Sequence, residues 1–112
     1  RNIPIALGSA SKNAQPILEK VNLLSYFDTI VDGNNVTKAK PDPEVFLIAA
    51  RQLGVDAKKC VVFEDAVAGI QAANAAEMIS IGIGDAKILS EAKYNFNDFT
   101  EMDISFLESL IL

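Results

Sequence analysis

Cys60-Val61-Val62-Phe63 is an unbroken apolar run set between Lys58-Lys59 and the acidic pair Glu64-Asp65, and it leads into the alanine-rich segment Ala66–Ala76. Four apolar residues without polar alternation predict a short strand buried on both faces of a parallel sheet. The alanines behind it predict a helix. The acidic pair then falls at the carboxyl end of a strand, where open α/β sheets bind their ligands. Two adjacent carboxylates in such a place repel each other and lose hydration unless positive charge compensates them. A hard divalent cation with oxygen ligands, most simply Mg2+, answers that need. The competing reading is that one carboxylate caps the following helix and the other is solvated.

The rest of the chain repeats the strand-then-helix pattern. Ile3–Leu7 reads as a first strand with Pro4 near its start, where a missing N–H is tolerated. Gly8-Ser9-Ala10-Ser11-Lys12-Asn13 follows, and Pro16, Ile17, Leu18 and Val21 predict a helix over 14–21. Backbone N–H groups, hydroxyls and an amide beside a helix start suit an anionic oxygen cluster such as phosphate. A plain turn with Ser11 or Asn13 as N-cap explains the same residues. Thr29–Val31 predicts a second strand and Asp32-Gly33-Asn34-Asn35 a turn. Asp42 as N-cap, Pro43 at the first helical position and Gly54 as stop bracket a helix through Val45, Phe46, Ile48, Ala49 and Leu53. Lys40 stands just before that rigid start; it is either a solvated loop charge or the partner of an anion. Met78–Gly84 predicts a further strand, 86–92 a short helical stretch, 94–99 an irregular segment and 104–110 a last helix capped by Asp103. The alternation implies an α/β domain with a mostly parallel sheet.

Composition narrows the chemistry. In 112 residues, 50% hydrophobic content is enough for a packed core, and the net charge of −5 argues against nucleic acid or an anionic membrane as partner. With no histidine, imidazole catalysis and His metal ligation are excluded from these residues. The single cysteine, Cys60, cannot form an internal disulfide, so a reducing compartment, the cytoplasm, is expected. There is no signal-peptide pattern and no apolar run of bilayer-spanning length. The start at Arg1, two residues before a strand, reads as a portion of a longer protein.

With these positions in hand, the chain resembles the haloacid dehalogenase superfamily of phosphohydrolases and phosphomutases along essentially its whole length. The serine of the family's second motif matches Ser9, the lysine of its third matches Lys40 before Pro41, and the acidic pair of its fourth matches Glu64-Asp65, followed by the habitual Gly69-Ile70. The run Ser9-Ala10-Ser11-Lys12-Asn13 is similar to that of β-phosphoglucomutases, in which the first serine holds the transferring phosphate and the residues matching Ser11, Lys12 and Asn13 help hold a second one. The resemblance implies a three-layer α/β/α, Rossmann-like core of which 1–112 is the C-terminal portion. Ser9 and Lys40 would be catalytic, residues 9–13 and Lys40 would bind the sugar phosphate, and Glu64 and Asp65 would hold Mg2+.

The family's first motif, a strand ending in two aspartates one residue apart, has no match. Asp42-Pro43-Glu44 and Glu101-Met102-Asp103 have that spacing but follow no apolar strand. Neither the helical cap domain nor the central strand is matched, and the missing strand would lie between those of Ile3–Leu7 and Val61–Phe63, leaving unpaired edges. The implied reaction interconverts β-glucose 1-phosphate and glucose 6-phosphate through an aspartyl-phosphate whose aspartate lies outside this chain. A sugar-phosphate phosphatase and a non-catalytic scaffold remain the alternatives.

Overall fold

The computed structural model describes residues 3–9, 16, 19–20 and 27–111. Among the described residues, strands β1 (Ala6–Gly8), β2 (Thr29–Val31), β3 (Val61–Glu64), β4 (Ile79–Ile83) and β5 (Tyr94–Phe96) alternate with helices α1 (Glu44–Leu53), α2 (Val67–Ala75) and α3 (Ile104–Ile111). The strands form two sheets, β1–β2 and β3–β4–β5, and every pairing is parallel. Among the described residues β1 pairs only with β2 and β3 only with β4, so each keeps one unpaired edge. Much of 10–26, including the helix expected over 14–21, lies outside the described residues, although Pro16, Glu19 and Lys20 are helical. Among the described residues no helix is long and apolar enough to cross a membrane.

One apolar core joins the two sheets. Val31 of β2, Val62 of β3, Val45, Phe46, Ala49 and Ala50 of α1, and Ala72 and Ala73 of α2 are all buried in a single cluster. The α1 residues recur at helical spacing on one face, which lies on β1 and β2. α2 covers β3 and β4 and touches α1. Paired residues in a parallel sheet share a face, so Val62, Ser80 and Asn95 look toward α2 while Phe63, Ile81 and Tyr94 look the other way. On that second face Phe106 of α3 meets Tyr94 and Phe96 edge-on, at 5.2 and 5.1 Å between ring centres. The three-strand sheet is therefore sandwiched between helices, as the expected three-layer core requires.

Local signals explain the helix boundaries. Asp42 Oδ1 accepts the Glu44 N–H at 3.0 Å, and Pro43 O accepts from Phe46 and Leu47, so the helix starts one residue later than the Asp42 cap implies. Gly54 ends it in the left-handed region at φ 70°, with Val55 N–H closing back on Ala50 O. Asp103 caps α3 by accepting the Phe106 N–H at 2.8 Å.

Five expectations change. β3 is buried on one face only: Val62 is inside, but Phe63 is 40% exposed because the aromatic cover from α3 sits over β5. Cys60 precedes the strand rather than lying in it. Ile3 and Ile5 fall outside β1 and are half exposed; Ile5 N–H goes to the Asp28 carboxylate instead of a ladder partner. Residues 86–92 form turns closed on Asp85, and 94–96 form a strand whose Tyr-Asn-Phe alternation is too short to stand out in the sequence.

Candidate active site

The carboxyl ends of β1 and β3 bring three separate loops together. Ser9 follows β1, with its N–H donated to Val31 O at 2.8 Å, which extends the β1–β2 ladder by one bond. Lys40 arrives from the turn before α1. That turn is pinned by the Glu44 carboxylate, which accepts the Thr37 N–H at 2.6 Å and the Thr37 hydroxyl at 2.9 Å. These bonds, the backbone N–H first, hold the Glu44 carboxyl below its ordinary pKa of 4.5. The preceding turn is closed by Asp32, which is 4% exposed: its Oδ1 accepts from Asn34 N–H at 2.8 Å, and its own N–H goes to Asn35 Oδ1 at 3.0 Å.

Lys40 connects the two sheets. Its Nζ lies 2.8 Å from Glu64 Oε2 at the end of β3 and 3.4 Å from the carbonyl oxygen of Gly8 at the end of β1. It also sits 5.0 Å from the centre of the Phe46 ring. The Lys40 and Glu64 side chains are only 17% and 13% exposed, so this is a largely desolvated, charge-assisted pair. Ser9 and Lys40 line one open cavity of about 160 Å³ together with Thr37 and Lys38. Glu64 and Asp65 line a second, more open one of about 220 Å³ with Phe63 and Ile83.

The acidic pair divides its labour. Glu64 takes Lys40 on Oε2 and the Asp65 N–H on Oε1 at 3.2 Å. The Asp65 side chain is exposed and has no hydrogen-bond or ion-pair partner among the described residues. Neither carboxylate caps α2, whose N-cap is Ala66 with no side-chain bond, so the capping alternative fails. Among the described residues no group of three or more His, Cys, Asp or Glu gathers to hold a metal. Mg2+ is often held by one or two carboxylates with water and substrate phosphate completing its shell, and two hard oxygen donors at a strand end fit that habit.

Ser9, Lys40, Glu64 and Asp65 are thus brought into one neighbourhood, while Ala10, Ser11, Lys12 and Asn13 lie outside the described residues. Phe46 and Thr37 are additions. Phe46 reads as a core residue of α1, and nothing local in the sequence marks its ring face as the floor under Lys40. The Thr37–Glu44 clasp closes over 37–43, which is neither helix nor strand, so no regular pattern betrays it.

A family model described as haloacid dehalogenase-like hydrolase matches residues 1–77. The chain is 37% identical over 106 residues to a β-phosphoglucomutase of Bacillus subtilis, covering 95% of this chain and 47% of that protein. It is 42% identical over 83 residues to the fructose-1-phosphate phosphatase YqaB of Escherichia coli, covering 74% and 44%. A crystal structure of a β-phosphoglucomutase from Clostridium difficile superposes with a TM-score of 0.91 at 36% identity, over 98% of this chain and 49% of that one. The chain spans about half the length of these relatives. With the family model matching well over half of its residues, the chain belongs to the haloacid dehalogenase-like hydrolases.

Proposed function

We propose that this chain supplies the phosphate- and metal-binding half of a sugar-phosphate phosphoryl-transfer site of the β-phosphoglucomutase type. The observation that carries this reading is Lys40, whose ammonium spans the two sheets beside Ser9 on one side and the acidic pair on the other. In this reading Ser9 donates a hydrogen bond to one oxygen of the transferring phosphoryl group. Lys40 neutralises a second oxygen and holds the attacking carboxylate, and catalysis is chiefly positioning and electrostatics. Its pairing with Glu64 keeps the ammonium aimed at the site before substrate arrives. Asp65, whose carboxylate has no partner among the described residues, is the better direct ligand for Mg2+, and Glu64 the supporting one. When bound, Mg2+ would offset charge on the phosphoryl oxygens. Residues 10–13 would take a second phosphate, as an enzyme that turns over a bisphosphate requires.

The nucleophilic aspartate would come from a strand outside this chain, seated between the unpaired edges of β1 and β3. We read residues 1–112 as the C-terminal part of the core domain, working in the cytoplasm with Cys60 reduced. A phosphatase is the second reading, favoured by the likeness to the fructose-1-phosphate phosphatase. Product analysis separates them in the protein that carries this chain. With Mg2+, β-glucose 1-phosphate and catalytic glucose 1,6-bisphosphate, a mutase forms glucose 6-phosphate with little free phosphate. Stoichiometric phosphate release overturns the mutase reading in favour of the phosphatase.

A further inference from the structure

Gly69 is the third residue of α2 and is buried. Unlike Gly54 and Gly84 it needs no left-handed conformation, and a glycine inside a regular helix is disfavoured relative to alanine. The backbone therefore gives no reason for it. The space does: a Cβ at this position would fall inside the contact shells of Glu64 Cγ, Cδ and Oε2. Oε2 is the oxygen that receives Lys40 Nζ at 2.8 Å.

We propose that Gly69 is a positioning residue: the bare helix surface it leaves is the slot in which the Glu64 side chain lies, with Oε2 turned to Lys40 and Oε1 to the Asp65 N–H. A methyl group there forces the carboxylate out of the slot and separates it from the ammonium. The consequence for catalysis rests on the function proposed above; the consequence for the ion pair does not.

A double-mutant cycle in the protein that carries this chain tests it. Gly69→Ala alone lowers the melting temperature, because the Lys40–Glu64 pair is lost. In a Glu64→Ala background the slot is empty, and Gly69→Ala raises the melting temperature by about 2–8 °C through helix propensity. The Lys40 side-chain ammonium resonance, sheltered from solvent exchange by the pair, broadens in Gly69→Ala as it does in Glu64→Ala. Should Gly69→Ala fail to fold, recovery of folding in the double variant supports the slot. The same sign and size of shift in both backgrounds, or no recovery, overturns the proposal. Neither readout uses turnover, so a protein that shows this coupling but transfers no phosphoryl group refutes the proposed function and leaves the role of Gly69 standing.

Discussion

Removing one partner of the Lys40–Glu64 pair has a cost that can be worked from its surroundings. At 2.8 Å and an effective dielectric near 20 the bare attraction is about 6 kcal/mol, most of it offset by desolvation of the two groups. What a substitution reads is the penalty of the charge left behind. In Lys40→Met the Glu64 carboxylate keeps, among the described residues, only the Asp65 N–H at 3.2 Å, and the expected loss is about 3 kcal/mol, the low end for a broken buried pair because the side chain is 13% exposed. In Glu64→Gln the ammonium keeps the Gly8 carbonyl at 3.4 Å and the Phe46 ring at 5.0 Å, so the loss is smaller, about 1–2 kcal/mol. The double variant leaves no orphaned charge and should be less destabilised than the two losses added, by about 1–2 kcal/mol. Equilibrium denaturation at neutral pH measures all four proteins. Repeating it at high salt should change the coupling little, because side chains 17% and 13% exposed are poorly screened. Additivity within about 0.5 kcal/mol, or coupling that vanishes with salt, would refute the claim that the pair is a desolvated tie between the sheets.

Three further outcomes follow from other parts of the chain. Ser80 is fully buried, donating to Asn74 Oδ1 at 2.7 Å and accepting the Lys93 N–H at 3.0 Å, so Ser80→Ala should cost about 1–3 kcal/mol in denaturation and loosen the turn before β5; a change near zero removes the network from the account. The Glu44 carboxyl has a folded pKa lowered by Thr37, so its stabilisation is complete above 4.5 and fades as pH falls through the lower folded value; the melting-temperature advantage of wild type over Glu44→Gln should shrink only in that acidic window, and an advantage constant with pH speaks against it. Burial first, then the Asp56 charge, pushes the Cys60 thiol above 9.0, and its S–H donates to Asp56 O at 3.4 Å; alkylation by iodoacetamide should be slow at neutral pH and still accelerating past pH 9, whereas a rate that levels off below that is inconsistent with this setting.

What the sequence disclosed and what it withheld divide along the range of the interactions. Punctuation was legible: Asp42-Pro43 and Gly54 bracket α1, Asp103 caps α3, and Val61–Glu64 runs into α2, because caps, prolines and apolar runs act within a few residues. Strand 94–96 was not, because three residues carry too little pattern and the rings find their partner in Phe106, ten or more positions away. Full burial of Phe63 was overestimated for a related reason, since which face a helix covers is a property of the assembled layers. At the site, Ser9, Lys40, Glu64 and Asp65 could be picked out as residue types at strand ends. That Lys40 pairs with Glu64 across 24 positions, and not with Asp65, is a tertiary fact. The reason for Gly69 is likewise visible only once Glu64 lies against it.

The central claim, that these residues act as one phosphoryl-transfer site, is tested most directly by turnover of β-glucose 1-phosphate with Mg2+ in Lys40→Ala and Asp65→Ala variants of the protein that carries this chain. Each variant is expected to lose at least about 100-fold in turnover, equivalent to about 2.7 kcal/mol of transition-state stabilisation. Turnover within a few-fold of wild type in either folded variant would contradict it.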